Sequence, residues 1–192
     1  SEDNSFKNKI NLEIIQLNHK NQIFDNDTDK KMNNILNYIS KSNSDLIIFA
    51  ENNYPYLIKN LNINNIHNYL KQNQTVVIGG TRTEADKYYN TLFNITYNKV
   101  SYFDKKILVP FGEFLPFRNL LEFLEPISGL SDYNTGKKNR IIKFKSDLNY
   151  IPIICYEIIF YWKLINDYNS ETDFIINITN DSWFGDFIGP YQ

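Results

Sequence analysis

The chain has 192 residues, 42% hydrophobic and 16% aromatic, so it is long enough to bury one sizeable core and too apolar for a disordered segment. Twenty basic residues against 22 acidic ones leave a net charge of −2 and form no basic stripe, which excludes an electrostatic case for nucleic acid. One cysteine excludes an internal disulfide and a CxxC metal site, and no apolar run reaches the roughly 20 residues of a membrane-spanning helix.

In chain order, Asn11 to Leu17 reads as a first strand. Thr28 to Ser40 is predicted to be a helix: Met32, Ile35, Leu36 and Ile39 fall at i, i+3, i+4 and i+7, and Asp27 or Thr28 can cap its start. Asp45 to Ala50 is short and continuously apolar, the pattern of a strand buried on both faces. A second helix is expected within Tyr54 to Leu70, then a buried strand over Thr75 to Gly80, where Gly79-Gly80 reads as a closing turn. Tyr88 to Tyr97 and Val100 to Phe103 form a hairpin turning at Asn98-Lys99. A loop with Pro110, Gly112 and Pro116 leads to a short helix around Arg118 to Leu124, and Ser128 to Asn139 is polar and turn-rich. Arg140 to Phe144, Ile151 to Cys155 and Asp173 to Ile178 complete the strands, with a helix over about Glu157 to Tyr168 between the last two. Strands alternating with helices, with no repeat or dividing linker, predict one α/β domain over residues 1–192.

Three of these strands end on residues of a reactive type: Glu51, Lys105 and Cys155. Open α/β sheets place their sites outside the carboxyl ends of strands, so the three can converge. A thiol attacks acyl groups as a thiolate, a carboxylate in reach can take its proton, and an ammonium can stabilise the oxyanion that forms. The backbone N–H of Tyr156 is a natural second donor, and a helix starting at Cys155 would favour the thiolate through its dipole. Taken singly, each residue has a plainer reading. Glu51 suits a solvated loop, Lys105 with Lys106 suits a solvated face, and Cys155 suits an apolar core. His19 and His67 have no spaced ligand partners, and Gly79-Gly80 is followed by no Lys-Ser/Thr, so neither a metal nor a phosphate cradle is predicted.

The wording around the trio is more specific. Phe49-Ala50-Glu51 through Pro55, Lys105 through Val109-Pro110-Phe111-Gly112-Glu113-Phe114-Leu115-Pro116-Phe117, Ile154-Cys155-Tyr156-Glu157, and Asn180-Asp181-Ser182-Trp183-Phe184-Gly185 continuing to Gly189-Pro190-Tyr191-Gln192 occur in that order. Together they resemble the nitrilase (carbon-nitrogen hydrolase) superfamily and, within it, the apolipoprotein N-acyltransferases, over nearly the whole chain. The long proline-flanked run after Lys105 and the Cys-Tyr-Glu step carry the resemblance to the acyltransferase branch. Amidase-type relatives have a shorter lysine segment and Cys-Tyr-Asp.

The resemblance implies a four-layer αββα sandwich, incomplete at its C-terminus, because the family continues past the position of Gln192. It implies transfer of a fatty acyl chain from a membrane phospholipid to the N-terminal amine of an apolipoprotein, through a thioester. Glu51 is then the general base, Lys105 the catalytic lysine and Cys155 the nucleophile. Glu113, Tyr156 and Glu157 are supporting residues, and Trp183 lines the pocket. No cofactor or metal is implied. The site would face the periplasmic side of a bacterial inner membrane, although the flanking membrane helices of the family are absent here. Two departures stand out: Phe49-Ala50 replaces the usual Trp-Pro, and Asn52-Asn53 replaces small residues. Two rival readings are an amidase hydrolysing a small amide through the same thioester, and a non-catalytic truncated remnant. On the lipid-handling reading, some of Phe114, Leu115 and Phe117 should be exposed near the pocket mouth.

Overall fold

Strand β1 covers Leu12–Ile15, helix α1 Thr28–Lys41 and strand β2 Leu46–Phe49, each close to its predicted span. These belong to a computed structural model that describes residues 9–17, 27–63, 66–110, 112–114, 132–145, 148–160, 162–163 and 172–180. Helix α1 forms because its apolar stripe has a surface to cover: Met32, Ile35 and Ile39 are buried against Ile47, Phe49, Val76 and Ile78. Asp27 occupies the N-cap position of α1 but makes no side-chain cap hydrogen bond, so the capping expectation fails.

The predicted helix within Tyr54 to Leu70 is absent. The chain instead makes a two-residue strand β3, Ile58–Lys59, and a single 3-10 turn at Ile66–Tyr69. Asn60 and Leu61 both take left-handed φ angles, 50° and 55°, which a helix does not tolerate. The apolar residues of this segment, Tyr54, Ile58, Ile63, Ile66 and Leu70, still pack under the sheet beside α1.

Strand β4 runs over Thr75–Glu84, longer than the sequence suggests, and β5 over Lys87–Thr96, one residue earlier than its predicted span. Gly79-Gly80 lies mid-strand and is no turn. The actual reversal is at Ala85-Asp86, whose φ angles of 48° and 59° suit a tight hairpin. Strand β6, Val100–Asp104, follows the expected turn, where the Lys99 N–H donates to Thr96 Oγ1.

The first sheet has the order β1-β2-β4-β5-β6, with β3 also paired to β4. Its β1, β2 and β4 are parallel, and β5 and β6 add antiparallel. Because β6 therefore runs the same way as β2, Glu51 and Lys105 leave the sheet at the same end. Strands β7 (Ile142–Lys145), β8 (Leu148–Ile154) and β9 (Phe174–Ile178) form a second, mixed sheet.

Alternation assigns the faces. Ile47, Phe49, Val76, Ile78, Phe93 and Ile95 point to the α1 side. Leu46, Val77, Leu92 and Phe103 point the other way and interlock with Ile142, Phe144, Tyr150, Ile154, Ile176 and Ile178 of the second sheet. The result is helix, sheet and sheet in successive layers. The outer side of the second sheet carries Ile151 and Ile153, buried, and Ile175, 55% exposed. The predicted helix near Arg118 and most of the one after Glu157 lie outside the described residues; the part described at Cys155–Phe160 is a 3-10 helix. Among the described residues no helix is long and apolar enough to cross a membrane.

Candidate active site

Glu51 follows β2 directly, and its backbone crosses tightly over β4. The Gly79 N–H donates to the Ala50 carbonyl and the Tyr54 N–H donates to the Gly79 carbonyl. A Cβ on Gly79 would sit 2.6 Å from the Glu51 Cα, so only glycine lets the carboxylate strand pass. Lys105 follows β6, its N–H donating to the Asn90 carbonyl of β5 at 2.8 Å and its carbonyl accepting from the Gly136 N–H at 2.8 Å. Cys155 follows β8 with φ at 55°, a left-handed turn that lifts a non-glycine side chain out of the sheet end.

These three ends meet. Lys105 Nζ lies 3.8 Å from Glu51 Oε1 and 2.8 Å from Glu113 Oε2, and its side chain is 1% exposed. Asn90 Nδ2 bridges the two carboxylates, donating to Glu51 Oε1 at 2.8 Å and to Glu113 Oε1 at 2.7 Å. Glu113 Oε2 also accepts from the Val109 N–H at 3.0 Å, which ties Glu113 to the chain just after the lysine. Cys155 is half-buried, lies close enough to Glu51 for each to shift the other's titration, and receives the Thr179 hydroxyl at 3.6 Å.

Burial pushes the Glu51 carboxyl above its ordinary value and Glu113 adds to this, against the opposing pull of Lys105 and Asn90. For Lys105, burial disfavours the ammonium, but Glu51 and Glu113 more than offset it and raise its pKa, so the amine stays charged. The Cys155 thiol is pushed up to about 11, first by burial and then by Glu51, with Thr179, Lys105 and the Tyr156 N–H working the other way. The expectation of a dipole-favoured thiolate therefore fails. The turn at Cys155–Phe160 is a short 3-10 helix, and burial outweighs the Tyr156 N–H at its start. At neutral pH the resting sulfur carries its proton, and a base with a raised pKa stands beside it.

Glu157 lies at a different depth. It is fully buried and turned away from the thiol, accepting from the N–H groups of Lys106 (2.9 Å), Ile107 (3.1 Å) and Ile154 (3.0 Å). Tyr156 is half-buried beside Cys155, and Phe114 is half-buried. Leu115, Phe117 and Trp183 lie outside the described residues. Past the cysteine in sequence, Ile158, Ile159 and Trp162 are exposed.

Sequence reasoning also missed Asn90, Thr179 and Arg140. A buried Asn inside an apolar strand is a signal in most chains, but here Asn is too common for it to stand out. Tyr133 was missed too. Its hydroxyl hydrogen-bonds Thr81 Oγ1 at 2.9 Å, and the fields of Glu113 and Glu51 reach it.

No family model matches the chain. Among curated relatives, it is 34% identical over 165 residues to the apolipoprotein N-acyltransferase of Brucella suis biovar 1, covering 79% of this chain and 31% of that protein. It is 35% identical over 158 residues to the enzyme of the same name from Rickettsia typhi, covering 78% of this chain and 32% of the relative. The chain thus spans about a third of the length of these relatives. Among solved structures, Saccharomyces cerevisiae Nit3, a member of branch 10 of the nitrilase superfamily, superposes with a TM-score of 0.61 at 17% identity, over 88% of this chain and 64% of that one. An amidase from Nesterenkonia sp. AN1 gives 0.60 at 10% identity, over 89% and 67%. The fold is that of the nitrilase superfamily, as the sequence resemblance implied.

Proposed function

Because this chain is a relative of the apolipoprotein N-acyltransferases built on the nitrilase-superfamily fold, we propose that it is the catalytic portion of an enzyme that moves a fatty acyl chain from a membrane phospholipid to the N-terminal amine of an apolipoprotein. The observation that carries this reading is the meeting of Glu51, Lys105 and Cys155 at one end of the sandwich, with Glu113 holding the lysine.

The geometry supports a transfer in two halves through a thioester on Cys155. As Cys155 sulfur attacks the phospholipid ester carbonyl, Glu51 takes the thiol proton. The Lys105 ammonium and the Tyr156 N–H stabilise the oxyanion. Collapse breaks the ester C–O bond, Glu51 returns the proton to the departing alcohol, and the acyl group stays on sulfur as a thioester. The amine then attacks the thioester and Glu51 takes its proton. The C–N bond forms, the C–S bond breaks, and the proton passes to the sulfur. No step needs a metal or a cofactor. Ile158, Ile159 and Trp162, exposed shortly after the cysteine in sequence, suit a lipid surface, and in this reading the site faces the periplasmic side of the inner membrane.

The test is acyl-enzyme trapping with a labelled phospholipid in mixed micelles. Label should accumulate on the protein, be released by hydroxylamine, and pass to a lipidated peptide amine. Cys155→Ala should take up none. Label that persists on Cys155→Ala would show that another group is the nucleophile. Release to water with no transfer to the amine would favour an amidase, the activity named for the Nesterenkonia neighbour.

A further inference from the structure

Arg140 lies outside the reacting groups, yet the structure ties it to both sides of them. Its guanidinium is 1% exposed and forms a two-pronged pair with the fully buried Glu157: Nη1 to Oε2 at 3.0 Å and Nη2 to Oε1 at 2.9 Å. Nη1 also donates to the Pro152 carbonyl of β8 at 2.9 Å, and the guanidinium carbon sits 4.6 Å over the Phe103 ring of β6. Glu157 in turn accepts from the Lys106 and Ile107 N–H groups just after the lysine, and from the Ile154 N–H just before the cysteine. One ion pair therefore joins the end of β6, in the first sheet, to the end of β8, in the second. Lys105 and Cys155 are the residues at those two ends.

We infer that Arg140 is a positioning residue, which through Glu157 sets the separation between the Lys105 ammonium and the Cys155 sulfur. Two physical points support this. A planar guanidinium fork holds a carboxylate in one orientation, which an ammonium cannot do. Burying a carboxylate is costly unless it is paired, and the guanidinium pairs the one that serves three backbone N–H groups. Without the fork, the loop after Lys105 and the turn at Cys155 would no longer share a fixed anchor, and the ammonium would drift from the thiol it helps to acidify.

The inference rests on the proposed Cys155 chemistry, but its test does not need the acyl substrate. Cys155 is the only cysteine, so iodoacetamide alkylation reads its reactivity alone. Among the described residues, the charged groups facing that thiol are Glu51 and Lys105, with Glu113 behind the lysine. The variants are Arg140→Lys, which keeps the charge without the fork, and Arg140→Gln, which removes both. Both should alkylate at least about 10-fold more slowly below the thiol pKa, with the profile moved to higher pH, while far-ultraviolet circular dichroism stays that of the parent. Arg140→Lys should be the milder. An unmoved profile in a folded variant, or faster alkylation at every pH as from simple loosening, would overturn the inference. So would failure of both variants to fold, which would assign the pair to the fold alone. If the parent protein never accepts label from phospholipid while the alkylation shift is seen, the proposed acyl donor is wrong and the positioning role stands.

Discussion

Lys105 Nζ lies 2.8 Å from Glu113 and 3.8 Å from Glu51, so the lysine pairs chiefly with the carboxylate that does not touch the thiol. The arrangement leaves Glu51 less neutralised than a simple Lys–Glu pair would. On the proposed mechanism this divides the labour between two buried acids: one holds the ammonium, and the other takes the proton.

Glu113→Gln should therefore lower the rate of thioester formation by about 10²-fold while the protein folds. The amide keeps the shape but removes one of the two negative charges on Lys105, which would then be drawn to Glu51 and weaken it as a base. Single-turnover acylation with labelled phospholipid measures the effect, and thermal unfolding checks the fold. Acylation at the parent rate would reduce the Lys105–Glu113 pair to a loop anchor.

On the proposed mechanism the acid limb of activity should belong to Glu51. Its carboxyl is raised above 4.5 by burial, and it accepts a proton only when ionised, so activity should fall as pH drops through that raised value. The limb should lie above 4.5 and disappear in Glu51→Gln, whose residual rate should be lower by about 10²- to 10⁴-fold. Stability should run the opposite way. The folded state keeps a proton that the unfolded chain releases, so folding weakens as pH rises from 4.5 through the raised value. A pH–rate profile with its acid midpoint at or below 4.5 would remove Glu51 from the role.

The trio was legible because Glu51 and Cys155 end buried apolar runs, because Lys105 follows the second strand of a recognisable hairpin, and because the words around the three are long. Strand β2 is the clearest case: Leu46–Phe49 is apolar on both faces because α1 covers one and the second sheet covers the other. What the sequence could not reveal depends on contacts across the fold. Asn90 matters only because β5 carries it between two carboxylates. Arg140 matters only because β7 and β8 bring it against Glu157. The Ala85-Asp86 turn was missed because neither residue is the glycine that a left-handed turn usually takes. Gly79 was misread for the opposite reason: a glycine pair looks like a turn, while here it makes room for a neighbouring backbone.

That room gives a sharp test. Gly79→Ala would set a Cβ 2.6 Å from the Glu51 Cα and 2.7 Å from the Asn52 N, and neither backbone atom can swing aside. It should destabilise the fold by about 1–3 kcal/mol and displace Glu51, so activity should fall even where the protein remains folded. Gly112→Ala, whose nearest neighbour would be 3.8 Å away, is the matched control and should be near neutral. Chemical denaturation of the two variants decides the point, and equal midpoints would show that β4 yields.

The thiol makes the last prediction. Cys155 is pushed up from 9 to about 11, chiefly because burial disfavours its charged form. Below pH 9 both the folded and unfolded chains hold the proton, and the residue adds nothing to the pH dependence of stability. Between pH 9 and about 11 the unfolded chain releases the proton while the folded chain keeps it, so folding should weaken as pH rises across that window. Cys155→Ala has no proton to release and should lose this alkaline slope, leaving only the slopes of the tyrosines and lysines common to both proteins. Urea unfolding at half-unit steps from pH 8 to 11 would compare them. Parallel curves would mean that the thiol is not held in its protonated form, and the assignment of Glu51 as the base that must remove that proton would fail with it.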